Sequence, residues 1–147
     1  MASKYDALKL ENDISFPLYA ASKEIVHKYK PYLDELNLTY TQYLAMLALW
    51  EHEELTVGEI GNLLYLDSGT LTPLLKKLET KGYIARKRSV DDERKVFIVL
   101  TDAGLDLRKK AAKVPSAVEA DLDFDPEDAK LLFMAVNWLL DQLDGAE

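Results

Sequence analysis

Residues 65–82 read YLDSGTLTPLLKKLETKG, and this stretch decides the fold. Asp67 or Ser68 is a typical helix N-cap, and Gly82 is a typical stop just past a helix C-terminus. The apolar residues between them recur at helical spacing, namely Leu71, Leu74, Leu75 and Leu78. The polar residues fall on the opposite side, so the stretch predicts a helix with one buried face and one exposed face.

Two short helices are predicted before this stretch. The first begins at Thr39 or Thr41 and ends among the charged residues 51–54. Thr56 is followed three residues later by Glu59, a capping-box pattern that opens the second helix. Three helices with a tight turn before the last are typical of a helix-turn-helix.

The apolar period changes after Gly82. Residues 83–88 and 95–100 have β-type sequences, and the second of them alternates two sets of apolar side chains. The polar residues 89–94 between them suit the loop of a hairpin. Because this hairpin follows the third helix directly, the predicted fold class is mainly α with a small β-hairpin, a winged helix-turn-helix.

Amphipathic helices flank this lobe on both sides. Residues 14–36 predict one helix. Pro31 is expected either to kink this helix or to split it at Lys30. A helix over residues 101–114 is expected to be interrupted over residues 115–126. The last helix is predicted over residues 126–143, and the flanking helices carry more apolar surface than a monomer of this size needs.

The chain is expected to form a single domain over residues 1–147. Residues 39–101 form the winged-helix lobe, and residues 10–38 and 102–147 are expected to be dimerisation helices. One reading helix with one wing seldom gives specific affinity, whereas a symmetric pair reads two half-sites about one helical turn apart. We therefore expect a homodimer that binds double-stranded DNA with a palindromic operator.

The charge of the chain is unevenly distributed. The formal net charge is −8, which by itself argues against nucleic acid as a partner. Residues 76–110, however, contain eleven Lys or Arg and six Asp or Glu, a local charge of +5, while the rest of the chain has 7 basic and 20 acidic residues. Because local charge decides where DNA docks, the basic segment is the expected interface.

The composition also excludes several functional classes. Cysteine is absent, which excludes disulfides, thiolate metal sites and a cysteine nucleophile. No run of about 18 apolar residues occurs, and residues 1–11 lack a secretory signal, so a cytoplasmic protein without membrane contact is expected. His27 and His52 have no metalloprotease spacing, and phosphate-loop and nucleophile-elbow motifs are missing. We therefore expect neither enzymatic activity nor a cofactor.

The predicted DNA-contacting residues lie on the reading helix and on the wing. Small hydroxyl residues at the helix start allow close approach to the major groove, and the helix N-terminus favours a phosphate. An arginine on a loop tip suits the negative potential of a narrow minor groove. The predicted helix residues are Asp67, Ser68, Gly69, Thr70, Thr72, Lys76 and Lys77, and the predicted wing residues are Arg86, Arg88, Asp92, Arg94 and Lys95.

Two plainer interpretations of the wing were weighed. Its acidic residues Asp91, Asp92 and Glu93 could bind a metal, but pairing with Arg94 and Lys95 is simpler, so no metal site is predicted. A winged helix used only for protein contacts would suit the acidic balance of the whole chain. Salt-dependent binding to duplex DNA distinguishes the two functions, because only phosphate neutralisation gives a steep salt dependence.

Four strings carry a family resemblance: YAASK at 19–23, LTYTQYL at 38–44, YLDSGTLTPLL at 65–75 and DDER at 91–94. With them the chain resembles the MarR family from residue 10 to residue 101, and within it the organic hydroperoxide resistance regulators. The resemblance implies a homodimer whose terminal helices interlock and whose wings each grip half of a palindromic operator. It also implies repression that an oxidant releases.

The resemblance further implies a redox sensor, which in the family is a single cysteine near the start of the first helix, held by tyrosine hydroxyls of the partner subunit. The corresponding string is ISF, and Ser15 occupies the sensor position, while Tyr19, Tyr29 and Tyr40 match the tyrosines. A serine hydroxyl has no sulfenic acid chemistry, so the chain is expected to be locked in its DNA-binding form. An engineered Cys-to-Ser change and a natural loss of the switch both explain this, and the retained tyrosines favour the first.

A repressor released by a small aromatic ligand is the alternative regulator. Such a ligand would lie between the dimerisation helices and the DNA-binding lobe. The aromatic residues that could line its pocket are Phe16, Tyr19, Tyr29, Tyr40 and Trp50. Core packing explains the same residues.

Overall fold

The computed structural model describes residues 2–145, and residues 1, 146 and 147 of the predicted domain lie outside them. Within this range the chain forms two compact units, one up to Val114 and one from Pro115. The helices are α1 (Ser15–Glu35), α2 (Tyr40–His52), α3 (Val57–Leu64), α4 (Ser68–Thr80), α5 (Asp102–Ala111), α6 (Val114–Leu122) and α7 (Pro126–Asp144). The strands are β1 (Glu54–Thr56), β2 (Ile84–Arg88) and β3 (Val96–Leu100), and two single 3₁₀ turns (Asp6–Leu8 and Leu10–Asn12) precede α1. None of the described helices is long and apolar enough to cross a membrane.

The sheet has three antiparallel strands in the order β1-β3-β2. The predicted hairpin is present, with Ile84 opposite Leu100 and Arg88 opposite Val96. Strand β1 differs from the prediction, which places Glu54 at the charged end of one helix and Thr56 at the start of the next. Leu55 is buried and pairs with Ile98 of β3. Pairing with β3, and not the strand propensity of these three residues, therefore orders β1.

The reading helix α4 packs its four predicted leucines into the core, where Leu75 and Leu78 are fully buried. The turn before α4 is tight, because a Cβ on Gly61 would lie 2.9 Å from the carbonyl oxygen of Leu66. Gly82 has a φ of 84° just after the helix, the left-handed conformation that its predicted role as a stop requires. These contacts hold α4 with one face in the core and one in solvent.

Helix α1 is continuous through Pro31, so the expected split before this residue does not occur. Pro31 is exposed, and its ring therefore meets no packed neighbour, while the single missing N–H interrupts only one hydrogen bond of a 21-residue helix. Asn37 follows the helix in the left-handed conformation, with a φ of 55°.

The C-terminal unit is more helical than predicted. The stretch from Pro115 was expected to interrupt the chain, but Val114–Leu122 is helical, because a proline in the first turn lacks only an N–H that has no helical partner anyway. Helix α7 begins at Pro126 as predicted, and the carboxylate of Asp125 accepts a hydrogen bond from the backbone N–H of Glu127 at 2.9 Å. No residue of α7 is buried, and its large exposed apolar side chains are Leu131, Leu132, Phe133, Met134, Val136, Trp138, Leu140 and Leu143.

Candidate nucleic-acid interface

The N-terminus of α4 is built by Asp67. Its Oδ1 atom accepts a hydrogen bond from the backbone N–H of Thr70 at 2.7 Å, which caps the helix. Hydrogen bonds from Thr70 also hold the pKa of the Asp67 carboxyl below its usual range. Asp67 therefore stays ionised and fixes the first turn, while Ser68 and Gly69 remain exposed beside it.

The exposed face of α4 carries every residue predicted there. Thr70 and Thr72 lie in its first half and Lys76 and Lys77 in its second half, all exposed, opposite the buried leucines. A helix of this width fits the major groove of duplex DNA with its N-terminal residues toward the base edges. The arrangement presents small donors near the start of the helix and two cations nearer its end.

The tip of the wing is organised by Asp92. Its Oδ1 atom accepts hydrogen bonds from the backbone N–H of Arg94 at 3.0 Å and from the Arg94 Nε atom at 3.4 Å. The Ser89 Oγ atom accepts from the backbone N–H of Asp92 at 3.3 Å, and the Lys95 N–H donates to the Asp92 carbonyl at 2.9 Å. The Arg94 side chain nevertheless stays 93% exposed, so the loop is ordered while the guanidinium points into solvent.

Part of the predicted pairing of the wing acids with Arg94 and Lys95 is present, since the Asp92 carboxylate lies 3.4 Å from the Arg94 Nε atom. Across residues 2–145 no group of three or more His, Cys, Asp or Glu side chains is placed to hold a metal ion. The carboxylate of Asp92 instead orders the loop.

The two arginines of β2 are partly engaged within the protein. The Arg86 Nε atom donates to Oε2 of Glu79 on α4 at 3.0 Å, and both side chains are partly exposed. The Arg88 Nη1 atom donates to the Glu93 carbonyl at 3.4 Å. Arg86 thus ties the wing to the reading helix, a contact that the sequence did not reveal because its partners lie on different elements. Each of these guanidiniums has further N–H groups that can donate to DNA.

The predicted sensor residues do not meet within one chain. Ser15 lies in the first turn of α1, and Tyr29 lies fourteen residues further along the same helix, roughly 21 Å away at the α-helical rise. Tyr29 and Tyr40 do meet, with ring centroids 5.0 Å apart. Tyr19 is exposed separately, with the Lys23 ammonium 5.3 Å from its ring centroid. A site that combines Ser15 with the tyrosine pair needs a second chain.

A third tyrosine, Tyr43, joins the pair and was not predicted. Its ring centroid lies 5.8 Å from that of Tyr29 and 6.4 Å from that of Tyr40. Burial, and then the neighbouring Tyr29, raise the pKa of the Tyr40 hydroxyl above its usual value. The Tyr40 hydroxyl therefore stays protonated at neutral pH and can donate a hydrogen bond.

A cavity of about 520 Å³ opens beside the tyrosines, between α1 and the start of α2. Val26, Leu33 and Leu38 form its apolar part, and Lys23 and His27 lie at its edge. Among the five aromatic residues predicted for a ligand pocket, Tyr40 alone lines it. Trp50 instead donates its Nε1–H to the carbonyl of Gly104 at 2.9 Å, which is a structural contact between α2 and α5.

Comparison with known proteins points to one family. The profile of a family described as Transcriptional regulator SarA/Rot matches residues 27–111, more than half of the chain. The organic hydroperoxide resistance transcriptional regulator of Bacillus subtilis (strain 168) is 52% identical over 143 residues, which cover 97% of each chain.

Solved structures are similar over nearly the whole chain. AbfR of Staphylococcus epidermidis is 34% identical with a TM-score of 0.74, covering 98% of this chain and 99% of that one. A structure of reduced AbfR bound to DNA is 33% identical with a TM-score of 0.75, covering 96% and 99%. A mutant MarR from E. coli complexed with operator DNA has a TM-score of 0.82 at 19% identity over 95% and 99%, which supports the winged-helix fold alone.

Proposed function

The chain belongs to the SarA/Rot family of transcriptional regulators and, among MarR-type winged-helix proteins, to the group of the organic hydroperoxide resistance regulators, and we propose that it represses transcription by binding palindromic operator DNA as a homodimer. It is a regulator and not an enzyme. The observation that carries the proposal is the wing tip, where Asp92 orders the backbone around an Arg94 side chain that is 93% exposed. An ordered loop whose guanidinium is largely exposed loses little entropy on entering a minor groove.

The exposed face of α4 supports the same function. Thr70, Thr72, Lys76 and Lys77 form a polar surface on a helix whose other face is fixed in the core. The lysines neutralise phosphates, and the hydroxyl groups lie where base edges are read. Reduced AbfR, which shares a third of its residues with this chain, has been solved bound to DNA.

The homodimer is supported by the exposed apolar side chains of α7. Trp138 is 62% exposed and Phe133 is 71% exposed, and they belong to a set of eight large apolar side chains exposed on this one helix. A contiguous apolar surface of this kind marks a protein interface in a soluble protein. Two chains related by a two-fold axis would then present two reading heads to a palindromic site.

Selection from a pool of random duplexes, followed by anisotropy titrations of the selected duplex, tests DNA binding. We expect an inverted repeat with half-sites about one helical turn apart, and an affinity that falls steeply with salt concentration. Failure to select any sequence, or an affinity independent of salt, would overturn the proposal in favour of a winged helix that contacts only protein.

We further propose that Ser15 occupies the position of the family's sensor cysteine, so that the DNA-bound form is insensitive to peroxide. The tyrosine pair formed by Tyr29 and Tyr40 supports a retained sensor pocket that lacks only its sulfur. Titration of the operator complex with cumene hydroperoxide is expected to leave it intact. Release of the DNA at peroxide concentrations that leave methionine unmodified would contradict the proposal.

A second candidate is release by a small aromatic acid, and the 520 Å³ cavity beside α1 favours it. An apolar lining with Lys23 and His27 suits a ring that carries a carboxylate, and the Asp34 carboxylate in the same lining is paired with Lys30. Salicylate is the probe: it should raise the melting temperature and weaken operator binding. Val26→Phe, which occupies the cavity, should abolish both effects, and an unchanged response in this variant would contradict the site.

A further inference from the structure

We propose that Lys81 is a positioning residue for DNA recognition, which fixes the C-terminal end of α4 against the corner between α1 and α2. The inference rests on the DNA-binding function proposed above. Lys81 follows the last residue of α4 directly and is its C-cap. It lies at the opposite end of the helix from Asp67, so the two residues hold the two ends of the reading element.

The ammonium of Lys81 joins two segments distant in sequence. Its Nζ atom donates one hydrogen bond to the main-chain carbonyl of Asn37 and another to Oε1 of Gln42 at 2.9 Å. Hydrogen bonds with an ionised donor are about twice as strong as neutral ones. The end of the reading helix is thereby attached to the end of α1 and the start of α2.

Both acceptors are themselves fixed. Asn37 ends α1 with a φ of 55°, so its carbonyl is held by a defined turn. Gln42 is only 4% exposed, and its Oε1 atom also accepts from the backbone N–H of Thr39 at 3.1 Å in a complete capping box. Lys81 is therefore bound to a rigid corner and not to mobile side chains.

The space around this link is not filled by side chains. An open cavity of about 240 Å³ is lined by Asp34, Asn37, Leu38, Thr39 and Lys81. The ammonium is a direct polar connection between the corner and α4 at this point. Its environment also lowers the pKa of Lys81, first through burial and then through the nearby Lys77, which agrees with a partly desolvated ammonium.

Loss of a positioning contact and loss of a direct DNA contact are expected to change operator binding in different ways. Loss of the link would let the C-terminal end of α4 shift, and a recognition helix has to be held to within about 0.5 Å to keep its contacts. No phosphate contact would be lost with it. Affinity should therefore fall while the number of neutralised phosphates, and with it the salt dependence, stays the same.

The test compares the unmodified chain with Lys81→Met, which keeps the length of the side chain and removes the ammonium. Operator affinity is expected to fall roughly tenfold, with an unchanged slope of log affinity against log salt. Lys77→Ala is the matched control, and its slope should decrease by about 1 because it loses a phosphate contact. Lys81→Arg, which keeps the charge and the donors, should restore most of the affinity.

A double-mutant cycle identifies the partner. Gln42→Met should weaken operator binding on its own, and adding Lys81→Met should then cost less than it does in the unmodified chain, because the link is already broken. Full additivity would overturn the inference. Lys81→Gln provides a second neutral variant if Lys81→Met does not fold.

The remaining outcomes are equally distinct. If Lys81→Met binds the operator as tightly as the unmodified chain does, Lys81 has a structural role only. If its salt slope is reduced as in Lys77→Ala, Lys81 contacts a phosphate directly. Either result overturns the inference. If the unmodified chain itself binds no DNA, the proposed function fails and the inference fails with it, whereas the outcomes above overturn the inference alone.

Discussion

Asp92 and Arg94 illustrate how one side chain prepares another for binding. The Asp92 carboxylate accepts from both the backbone and the side chain of Arg94, although a negative charge near DNA is unfavourable. Its presence at the wing tip is explained by the order that it gives to the loop. The residue thus improves binding through geometry while opposing it through charge.

We predict that Asp92→Ala weakens operator binding by roughly tenfold, even though it removes a negative charge, because the loop around Arg94 loses its anchor. Asp91→Ala is the matched control: it removes the same charge from the neighbouring position, where the backbone N–H donates to Ser89 and the substitution leaves that bond in place. Asp91→Ala should bind equally well or more tightly. Anisotropy titrations at a single salt concentration measure both, and equal affinities for the two variants would contradict the role of Asp92.

We predict that Ser15→Cys restores release from the operator by organic hydroperoxide. The new thiolate would meet tyrosines of a second chain, and the protonated Tyr40 hydroxyl is a donor that stabilises the thiolate and favours its oxidation to a sulfenic acid. Ser22→Cys, on the same helix but away from its first turn, is the control and should stay bound. The readout is a gel shift with cumene hydroperoxide. An operator complex of Ser15→Cys that survives while its thiol is oxidised would show that residue 15 is not the sensor position.

The junction between α5 and the wing depends on Gly104. A Cβ at this position would clash with the carbonyl oxygen of Tyr83, which already accepts from the Thr101 N–H at 3.1 Å. The carbonyl of Gly104 in turn accepts from Trp50. Helix α5 therefore lies closer to the start of β2 than any residue with a Cβ atom at position 104 would allow.

We predict that Gly104→Ala lowers the free energy of unfolding by about 2 kcal/mol, because α5 has to move away from the backbone of Tyr83. Gly58→Ala in α3 is the control, since its Cβ would find the Thr56 Oγ1 atom at 4.0 Å and otherwise open space. It should be neutral or stabilise the helix slightly. Urea unfolding of both variants measures the difference, and a Gly104→Ala chain as stable as Gly58→Ala would contradict the packing argument.

Secondary-structure elements with local sequence signals could be predicted, whereas those ordered by distant contacts could not. Helix α4 could be predicted because its signals are local: a cap at Asp67, a leucine period and a stop at Gly82. Strand β1 could not, since its three residues are ordered by pairing with β3, far along the chain. Helix α6 was missed because Pro115 was interpreted as a breaker, whereas in a first turn it is a favourable residue.

The candidate site follows the same division. The exposed face of α4 could be assigned from helical periodicity alone. The bonds of Arg86 with Glu79 and of Lys81 with Gln42 could not, because each joins elements whose arrangement is set by tertiary packing. Tyr43 was overlooked for a similar reason, since only the packing of α1 on α2 brings its ring to Tyr29.

At the scale of the whole molecule, positive charge is concentrated in one part of the sequence. Residues 76–110 carry a local charge of +5 within a chain of −8, and the reading helix and wing overlap this basic segment. The acidic remainder repels DNA from other surfaces, so binding is confined to one orientation. The large exposed apolar side chains of α7 lie outside this segment of the sequence.

We predict that Trp138→Glu dissociates the dimer and weakens operator binding, because it places a charge among the apolar side chains of α7. Lys130→Glu is the control: it changes the charge even more, but Lys130 shares the polar side of the helix with Asn137 and Asp141 at helical spacing. Size-exclusion chromatography with light scattering gives the mass of each variant, and anisotropy gives its affinity. Trp138→Glu should elute as a folded monomer that binds one half-site weakly, while Lys130→Glu remains a dimer. An unmodified chain that is monomeric at micromolar concentration would contradict the assembly, since a single reading head would then have to supply all of the specificity.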